Sequence, residues 1–348
     1  MRKKVLFISE YLNPPYDEGI KKTVYNLFLE LDKNFELQVI CRYGFDKKNI
    51  HVVHTNPLYF SNEIKKLIKN FGPDSIIYLP FQSSTFASYL RLIILFLFSK
   101  GSEIIFIALQ PKPLKKWQQF LAKYIKPSIA LTPSPSLRKL WDDMKINNEI
   151  IPLLTDLSVF KPLSKHDSRD SLRKKYSLPL DSFIVSHMGH LNEGRNLKTL
   201  IPIQKAGIQV LIVSSSSTPK DAHGHESLKN ELLQSGIILL DNYIEHIEEI
   251  YQLSDIYIFP VVKENSSIGM PLSVLEARAC GTPVITTDYG SLQFFLGDDF
   301  GGIYYTDPDD FLRSVTFIRN IKIKNFVNTK VSDLNDKFYK IIYNQIEE

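Results

Sequence analysis

The sequence predicts an α/β protein made of two doubly wound parallel-sheet domains that face one another across a crevice. Three observations carry this. The chain has 348 residues, too many for one comfortable core. Short apolar runs alternate with stretches of helical periodicity along its length, the pattern of parallel sheets covered on both faces. The alternation pauses once, at a polar stretch near residue 160, and then starts afresh. Ligands of such sheets sit at the carboxyl ends of the strands, which for two facing sheets is the crevice.

Val5 to Ile8 form the first apolar run, and Ile20, Val24, Leu27, Phe28 and Leu31 then follow at the spacing of one helix face. Further strands are expected at 37–41, 75–79, 104–109 and 129–132, with helices such as 62–71 and 117–125 between them. The run from Ser164 to Ser171 is polar and follows Pro152 and Pro162, so the boundary is expected near 155–165, dividing the chain into 1–160 and 161–331. Strands of the second domain are expected at 183–188, 210–213, 237–240, 256–259 and 284–286, and a last helix at about 332–346.

The composition, 44% hydrophobic and 23% charged, is that of an ordinary globular protein. Cys41 and Cys280 are far apart and each lies in an apolar run, which argues against a disulfide framework and for a reducing compartment, the cytoplasm. The basic start MRKKVLFISE reads as a first strand, because its apolar run is too short for a secretory segment. The most lipid-like run, 92–98, has seven residues; spanning a bilayer takes ~20. Charge is uneven: residues 1–160 hold 22 Lys and Arg against 14 Asp and Glu, and the remainder 20 against 24. A basic first domain suits an anionic surface, either phospholipid at the inner face of the membrane or a phosphate-bearing acceptor; evenly solvated lysines are the bland alternative. Lys112, Lys115, Lys116, Trp117 and Phe120 combine basic and aromatic residues as interfacial segments do, and as an ordinary amphipathic helix also does. Nucleic acid is not an expected partner, since no recognition motif accompanies the charge.

The dinucleotide fingerprint GxGxxG, the phosphate loop GxxxxGKS/T, the zinc helix HExxH and paired CxxC motifs are absent from the sequence, which removes several large enzyme classes. Asp307-Pro308-Asp309 has the DxD look of a cation site. Proline in second place, acids in the next turn and Phe311-Leu312 beyond describe a capped helix start instead, so no metal is expected. His223-Gly224-His225-Glu226 reads as a polar turn, with no other His or Cys cluster near it.

The most informative segment is PLSVLEARACGTPVITT, from Pro271 to Thr287. Residues 284–286 read as a buried strand, Gly281-Thr282-Pro283 as a tight connection and 273–280 as a helix opened by Pro271 and preceded by Gly269 and Met270. A glycine-containing loop that enters a helix presents unpaired N–H groups and a positive dipole end. The backbone from Gly269 through Met270, Pro271 and Leu272 to Ser273 therefore suits a diphosphate. Glu276, in the second turn, can accept hydrogen bonds from two vicinal hydroxyls, as a ribose offers. The plainer reading is a carboxylate that decorates an amphipathic helix.

LSVLEARACGTPVITT resembles the retaining glycosyltransferases of the GT-B fold, the large family 4 or glycosyl transferases group 1, whose two domains are Rossmann-like. In that family the glutamate of LEAxACGxPV binds the donor ribose, and a second glutamate eight residues earlier contacts the transferred sugar. Glu276 matches the first; Ile268 stands at the second, with Glu264 four residues further upstream. A second match is SHMGHLNEGRNLK, from Ser186 to Lys198, where the family carries GRLxxxKG. His190 stands at the arginine position and Arg195 at the lysine position, both implied to neutralise the departing diphosphate. Arg195 keeps its charge at any working pH and clamps phosphate bidentately, whereas His190 is cationic only where phosphates raise its pKa. Lys198 is a further donor contact or a solvated helix residue. The loop EYLNPPYDEG, from Glu10 to Gly19, is similar to the family's glycine-rich loop above the diphosphate and keeps one glycine, Gly19.

The family's histidine after a central strand of the first domain corresponds to Gln110, which follows 103–109. Glutamine donates hydrogen bonds but is no base, which fits a retaining mechanism in which the leaving phosphate takes the acceptor proton. The resemblance implies a metal-independent transfer of a sugar from a nucleoside diphosphate sugar, with no other cofactor, to a glycan or lipid-linked acceptor. Gln110 and Arg195 would serve the catalytic step. Residues 1–160, with the helix 332–348 packed back on them, would be the acceptor side and 161–331 the donor side. Ile268 and Gln110 keep an alternative open, a catalytically degenerate nucleotide-sugar-binding subunit that partners an active transferase; a sugar-nucleotide epimerase is a weaker competitor.

Overall fold

A computed structural model describes residues 2–54, 56–164, 167–214, 225–297, 301–321 and 330–347, and the chain divides into two units. The first comprises Met1–Leu154, Ile268–Met270 and Asn335–Glu348. Its strands are β1 (Lys4–Ile8), β2 (Glu36–Cys41), β3 (Ile50–Val52), β4 (Ser75–Tyr78), β5 (Glu103–Ile107), β6 (Ile129–Thr132) and β7 (Asn148–Ile150). They form one sheet in the order β3-β2-β1-β4-β5-β6-β7, with every neighbouring pair parallel. Branched apolar residues such as Val5, Ile76, Ile77, Ile104 and Ile105 are buried in it, as fits strands covered on both faces.

The connections carry α1 (Gly19–Asn34), α2 (Asn62–Phe71), α3 (Phe86–Ser99), α4 (Lys116–Ala122) and α5 (Pro135–Asp143). The face of α1 anticipated from spacing, Ile20 to Leu31, is the face it buries. Ser61 Oγ accepts the Ile64 N–H at 3.1 Å to start α2, and Gly72 ends it in the left-handed region at φ 59°. The sequence does not predict β3 or β7. Each lies at an edge of the sheet and lacks an apolar run, with His51 in β3 and Asn148 and Glu149 in β7, so pairing with a neighbour makes it a strand.

Strand order reverses between β1 and β4, and a buried polar network sits at that point. Glu10 follows β1; its Oε1 meets Arg91 Nη1 of α3 at 2.6 Å and its Oε2 accepts the Phe81 N–H at 2.6 Å. Arg91 also donates to Pro57 O at 2.6 Å and to the Tyr78 hydroxyl at 3.1 Å. Both charges are buried and each is answered, so the loop after β1 is tied to the loop after β4.

The second unit comprises Thr155–Ser267 and Pro271–Leu334. Its strands, β8 (Ile184–Gly189), β9 (Gln209–Ser214), β10 (Ile238–Leu240), β11 (Ile256–Phe259), β12 (Val284–Thr286) and β13 (Ile303–Tyr305), lie in the order β10-β9-β8-β11-β12-β13, all parallel. Their helices are α6 (Arg169–Lys175), α7 (Ile201–Lys205), α8 (His225–Gln234), α9 (Ile247–Leu253), α10 (Leu272–Ala279), α11 (Leu292–Leu296) and α12 (Phe311–Asn320). The unit begins at Thr155. Phe160 packs within it, 6.0 Å from the Tyr251 ring, and the Gln252 amide donates to Lys161 O at 2.8 Å.

Asp307 precedes a 3-10 turn, Pro308–Asp310, that leads into α12, as a helix start requires. Its side chain makes no capping hydrogen bond, however; its carbonyl accepts the Asp310 N–H at 3.0 Å instead. The closing helix, α13 (Lys330–Glu347), groups with the first unit from Asn335 onward. There the Tyr343 hydroxyl donates to the Glu30 carboxylate and accepts from Asn34 Nδ2 at 2.7 Å, with its ring 5.4 Å from Phe35. Among the described residues no helix is long and apolar enough to cross a membrane.

Candidate functional site

In the second unit strand order reverses between β8 and β11, and several polar side chains gather there. β8 ends at Gly189, whose φ is 153°. A Cβ on Gly189 would lie 3.1 Å from Arg195 Nη1 and 3.4 Å from His187 Nε2, so the missing side chain is what lets the guanidinium approach the strand end. Arg195 is buried in a 3-10 turn, Glu193–Arg195, where Asn192 Oδ1 accepts its N–H at 3.2 Å.

His187 is wholly buried beneath it, and its Nδ1 lies 2.9 Å from Ile258 O. A carbonyl only accepts, so Nδ1 carries the proton and Nε2 is left as an acceptor. Burial, opposed by the hydrogen bond to Ile258 O and aided by the nearby Arg195 charge, lowers the His187 pKa to about 3, so the ring is neutral at ordinary pH.

Pro271 occupies the N-cap of α10 at φ −64° and ψ 116°. Having no N–H itself, it leaves the first-turn groups of Leu272 and Ser273 as the backbone donors at the helix start. Gly269 is not among them: its N–H donates to Leu109 O at 2.7 Å. The glycine is needed for space, since a Cβ there would lie 2.8 Å from the Pro133 carbonyl carbon and oxygen and from Ser134 Cα. Met270 is buried.

Glu276 is 2% exposed, and its Oε2 accepts the hydroxyl of Tyr251, from α9, at 2.7 Å. Burial raises the Tyr257 hydroxyl pKa; the charge of Arg195 lowers it and that of Glu276 raises it, so both charges reach one buried hydroxyl. The loop before α10 is pinned by Tyr289, whose hydroxyl donates towards Glu264 O at 2.7 Å and Ser267 O at 2.8 Å and accepts the Ser267 N–H at 3.1 Å.

The structure thus gathers Arg195, Glu276 and the start of α10 around one strand-order reversal. His190 follows β8 directly and is half-buried. Lys198 is turned to a different partner, the Glu231 carboxylate of α8 at 2.7 Å, in an exposed pair. His187, Tyr251, Tyr257 and Tyr289 are missed by sequence reasoning. Tyr251 lies 25 residues before Glu276, and no local motif links the two.

In the first unit Gly19 opens α1, and Ile268 Cδ1 lies 2.7 Å from where its Cβ would be. Ile268 is itself buried, so the position of the absent glutamate holds a packed apolar side chain. Gln110 is buried just past β5. Among the described residues no group of three or more His, Cys, Asp or Glu side chains comes together as a metal site; His223 and Gly224 lie outside the described residues.

Two doubly wound units of this kind make up the GT-B fold. The fold is shared with HepE of Anabaena in complex with UDP-glucose, at a TM-score of 0.75 and 14% identity over 99% of this chain and 98% of that one. Residues 189–319 match the family model of Glycosyl transferases group 1, which bears out the resemblance drawn from the sequence. A UDP-Gal:alpha-D-GlcNAc-diphosphoundecaprenol alpha-1,3-galactosyltransferase of Escherichia coli is 26% identical over 202 residues, 54% of this chain and 48% of that enzyme. The glycosyltransferase EpsF of Bacillus subtilis (strain 168) is 23% identical over 322 residues, 82% of this chain and 79% of the relative. The chain spans about a third to a half of the length of most of the curated relatives it matches.

Proposed function

We propose that the chain transfers a sugar, with retention of configuration and without a metal ion, from a nucleoside diphosphate sugar to a glycan or a lipid-linked acceptor. The observation that carries the reading is Glu276, a buried carboxylate held by Tyr251 in a helix whose first turn offers open N–H groups, with the Arg195 charge acting on the same neighbourhood. An acceptor for vicinal hydroxyls, a helix start for phosphate and a permanent cation are together what a nucleoside diphosphate requires. The names of the relatives support that donor class, one enzyme being named for UDP-Gal and one structure holding UDP-glucose.

In this reading Glu276 takes the ribose, while Arg195, His190 and the N–H groups of Leu272 and Ser273 take the diphosphate. Met270 and Pro271 set the entry of the chain into α10. Gln110 donates to a hydroxyl of the transferred sugar. The acceptor oxygen bonds to the anomeric carbon as the bond from that carbon to the phosphate oxygen breaks, and the phosphate takes the acceptor's proton. Incubation with UDP-sugars and an acceptor panel, with and without EDTA, tests this, the product anomer being read by NMR. Transfer with inversion, or activity lost to EDTA, overturns those terms. The buried Ile268 favours a second reading, a donor-binding subunit without turnover, which bound donor with neither transfer nor hydrolysis would support.

We also propose that the first unit docks on the inner face of the membrane. Trp117, Phe120 and Tyr124, on and just after α4, are 54%, 55% and 67% exposed, with Lys123 Nζ lying 4.3 Å over the Phe120 ring. Exposed rings set among lysines match an anionic lipid surface. Co-sedimentation with phosphatidylglycerol vesicles but not with phosphatidylcholine vesicles is the expected result, and equal binding to both, or to neither, counts against it.

A further inference from the structure

Gln110 and Lys112 stand just past the carboxyl end of β5, on backbone that two buried serines hold. Ser83 Oγ accepts the Gln110 N–H at 2.7 Å and donates to Gln110 O at 2.6 Å. Ser84 Oγ donates to that same carbonyl at 3.0 Å and accepts the Lys112 N–H at 2.9 Å. Ser83 does this at φ 55°, a region that residues other than glycine rarely adopt and that marks a constrained position. The fixed backbone aims Lys112 Nζ at Gln110 Oε1, 2.8 Å away.

That ammonium is half-buried, and among the described residues it makes no ion pair. One neutral amide oxygen answers it. Lys47, by contrast, meets Asp32 at 2.6 Å. Burial pushes the Lys112 pKa down while the charge of Glu18 pulls it up, so the cation is partly stripped of water and only weakly compensated. A charge withdrawn from water is costly unless a partner completes its site. Two of its three protons remain beyond the one on Gln110, at the strand-end edge where doubly wound sheets take their ligands.

We propose that Lys112 takes an anionic group, phosphate or carboxylate, carried by the acceptor that receives the transferred sugar. The inference rests on the transfer reading and narrows its acceptor class to anionic molecules. Lys112 binds the anion and Gln110 together, so the amide is held in register with the charged end of the acceptor.

Calorimetric titration with glucose 1-phosphate, glucuronate and glucose, each with and without saturating UDP, tests this on the full chain and on Lys112→Met and Lys112→Arg. The wild type is expected to prefer at least one anionic sugar over glucose, and the two anionic probes separate phosphate from carboxylate. Lys112→Met should weaken that anion tenfold or more and leave UDP affinity within twofold, and Lys112→Arg should retain most of the binding. The proposal is overturned if the wild type shows no preference for a charged sugar, or if Lys112→Met weakens glucose equally. It is also overturned if the loss falls on UDP, because the anion is then the donor's diphosphate. A wild type that binds an anionic sugar through Lys112 but no UDP leaves the anion site standing and sinks the transfer reading.

Discussion

Replacing Glu276 separates two tasks of one carboxylate. In the proposed complex it accepts hydrogen bonds from the ribose; in the protein alone its Oε2 already accepts the Tyr251 hydroxyl at 2.7 Å, with both residues buried. Hydrogen bonds to a charged group contribute about 1.5–3 kcal/mol. Glu276→Ala should therefore weaken UDP binding roughly 10- to 100-fold at about 1.4 kcal/mol per tenfold. The same change leaves the Tyr251 hydroxyl buried without that acceptor, at about 1–3 kcal/mol of stability. For a domain the size of the second unit that lowers Tm by roughly 2–4 °C per kcal/mol. Glu276→Gln keeps a neutral acceptor for Tyr251, so its Tm should stay near wild type while affinity still falls several-fold for want of the charge. Calorimetry with UDP, alongside thermal unfolding of each variant, reads both quantities. A folded Glu276→Ala protein that binds UDP within twofold of wild type refutes the ribose assignment.

Other consequences concern stability. Arg91→Met strands the Glu10 carboxylate in the interior and should cost about 3–5 kcal/mol; breaking the exposed Lys47–Asp32 pair with Lys47→Met should cost at most ~1 kcal/mol. Urea unfolding of the two variants side by side would show similar losses if the buried network did not matter. Gly269→Ala drives a methyl group against Pro133 and Ser134 backbone, and overpacking of this kind costs about 1–3 kcal/mol; an unchanged urea midpoint contradicts the close approach. His187 has a folded pKa lowered from 6.5 to about 3, so the unfolded chain binds more protons as pH falls below 6.5 and stability declines from there towards 3. Between pH 7 and pH 5 the residue should remove about 2 kcal/mol, at 1.36 kcal/mol per unit. His187→Gln should flatten that part of the profile, and an unaltered slope would show that the ring is not held neutral.

How much of this was legible in the sequence follows from the range of each interaction. The α1 face from Ile20 to Leu31, the alternation that marks two doubly wound sheets, and the helix carrying Glu276 are local patterns, readable because period and capping depend on neighbours within a few residues. The edge strands β3, β7 and β13 escaped because none stands out as an apolar run, as β10 does: His51 interrupts β3, Asn148 and Glu149 fill most of β7 and two tyrosines follow Ile303 in β13, so pairing makes them strands. Lys198 reads by register as a donor contact or a solvated helix residue, and only the tertiary structure pairs it with Glu231 of α8.

The residues that tune the site came only with tertiary structure. Tyr251 reaches Glu276 from 25 positions away, and Ile258 O fixes the tautomer of His187 across 71. Gly269 was read as a phosphate cradle, yet Leu109 O takes its N–H and the Pro133 backbone takes its missing side chain, both brought there by folding. By itself the sequence determined the class of fold and the segment that carries the candidate nucleotide grip, since periodicity and motif are properties of the chain. Folding decided which atoms of that segment are already engaged, because hydrogen bonds and burial are settled between residues that the chain keeps far apart.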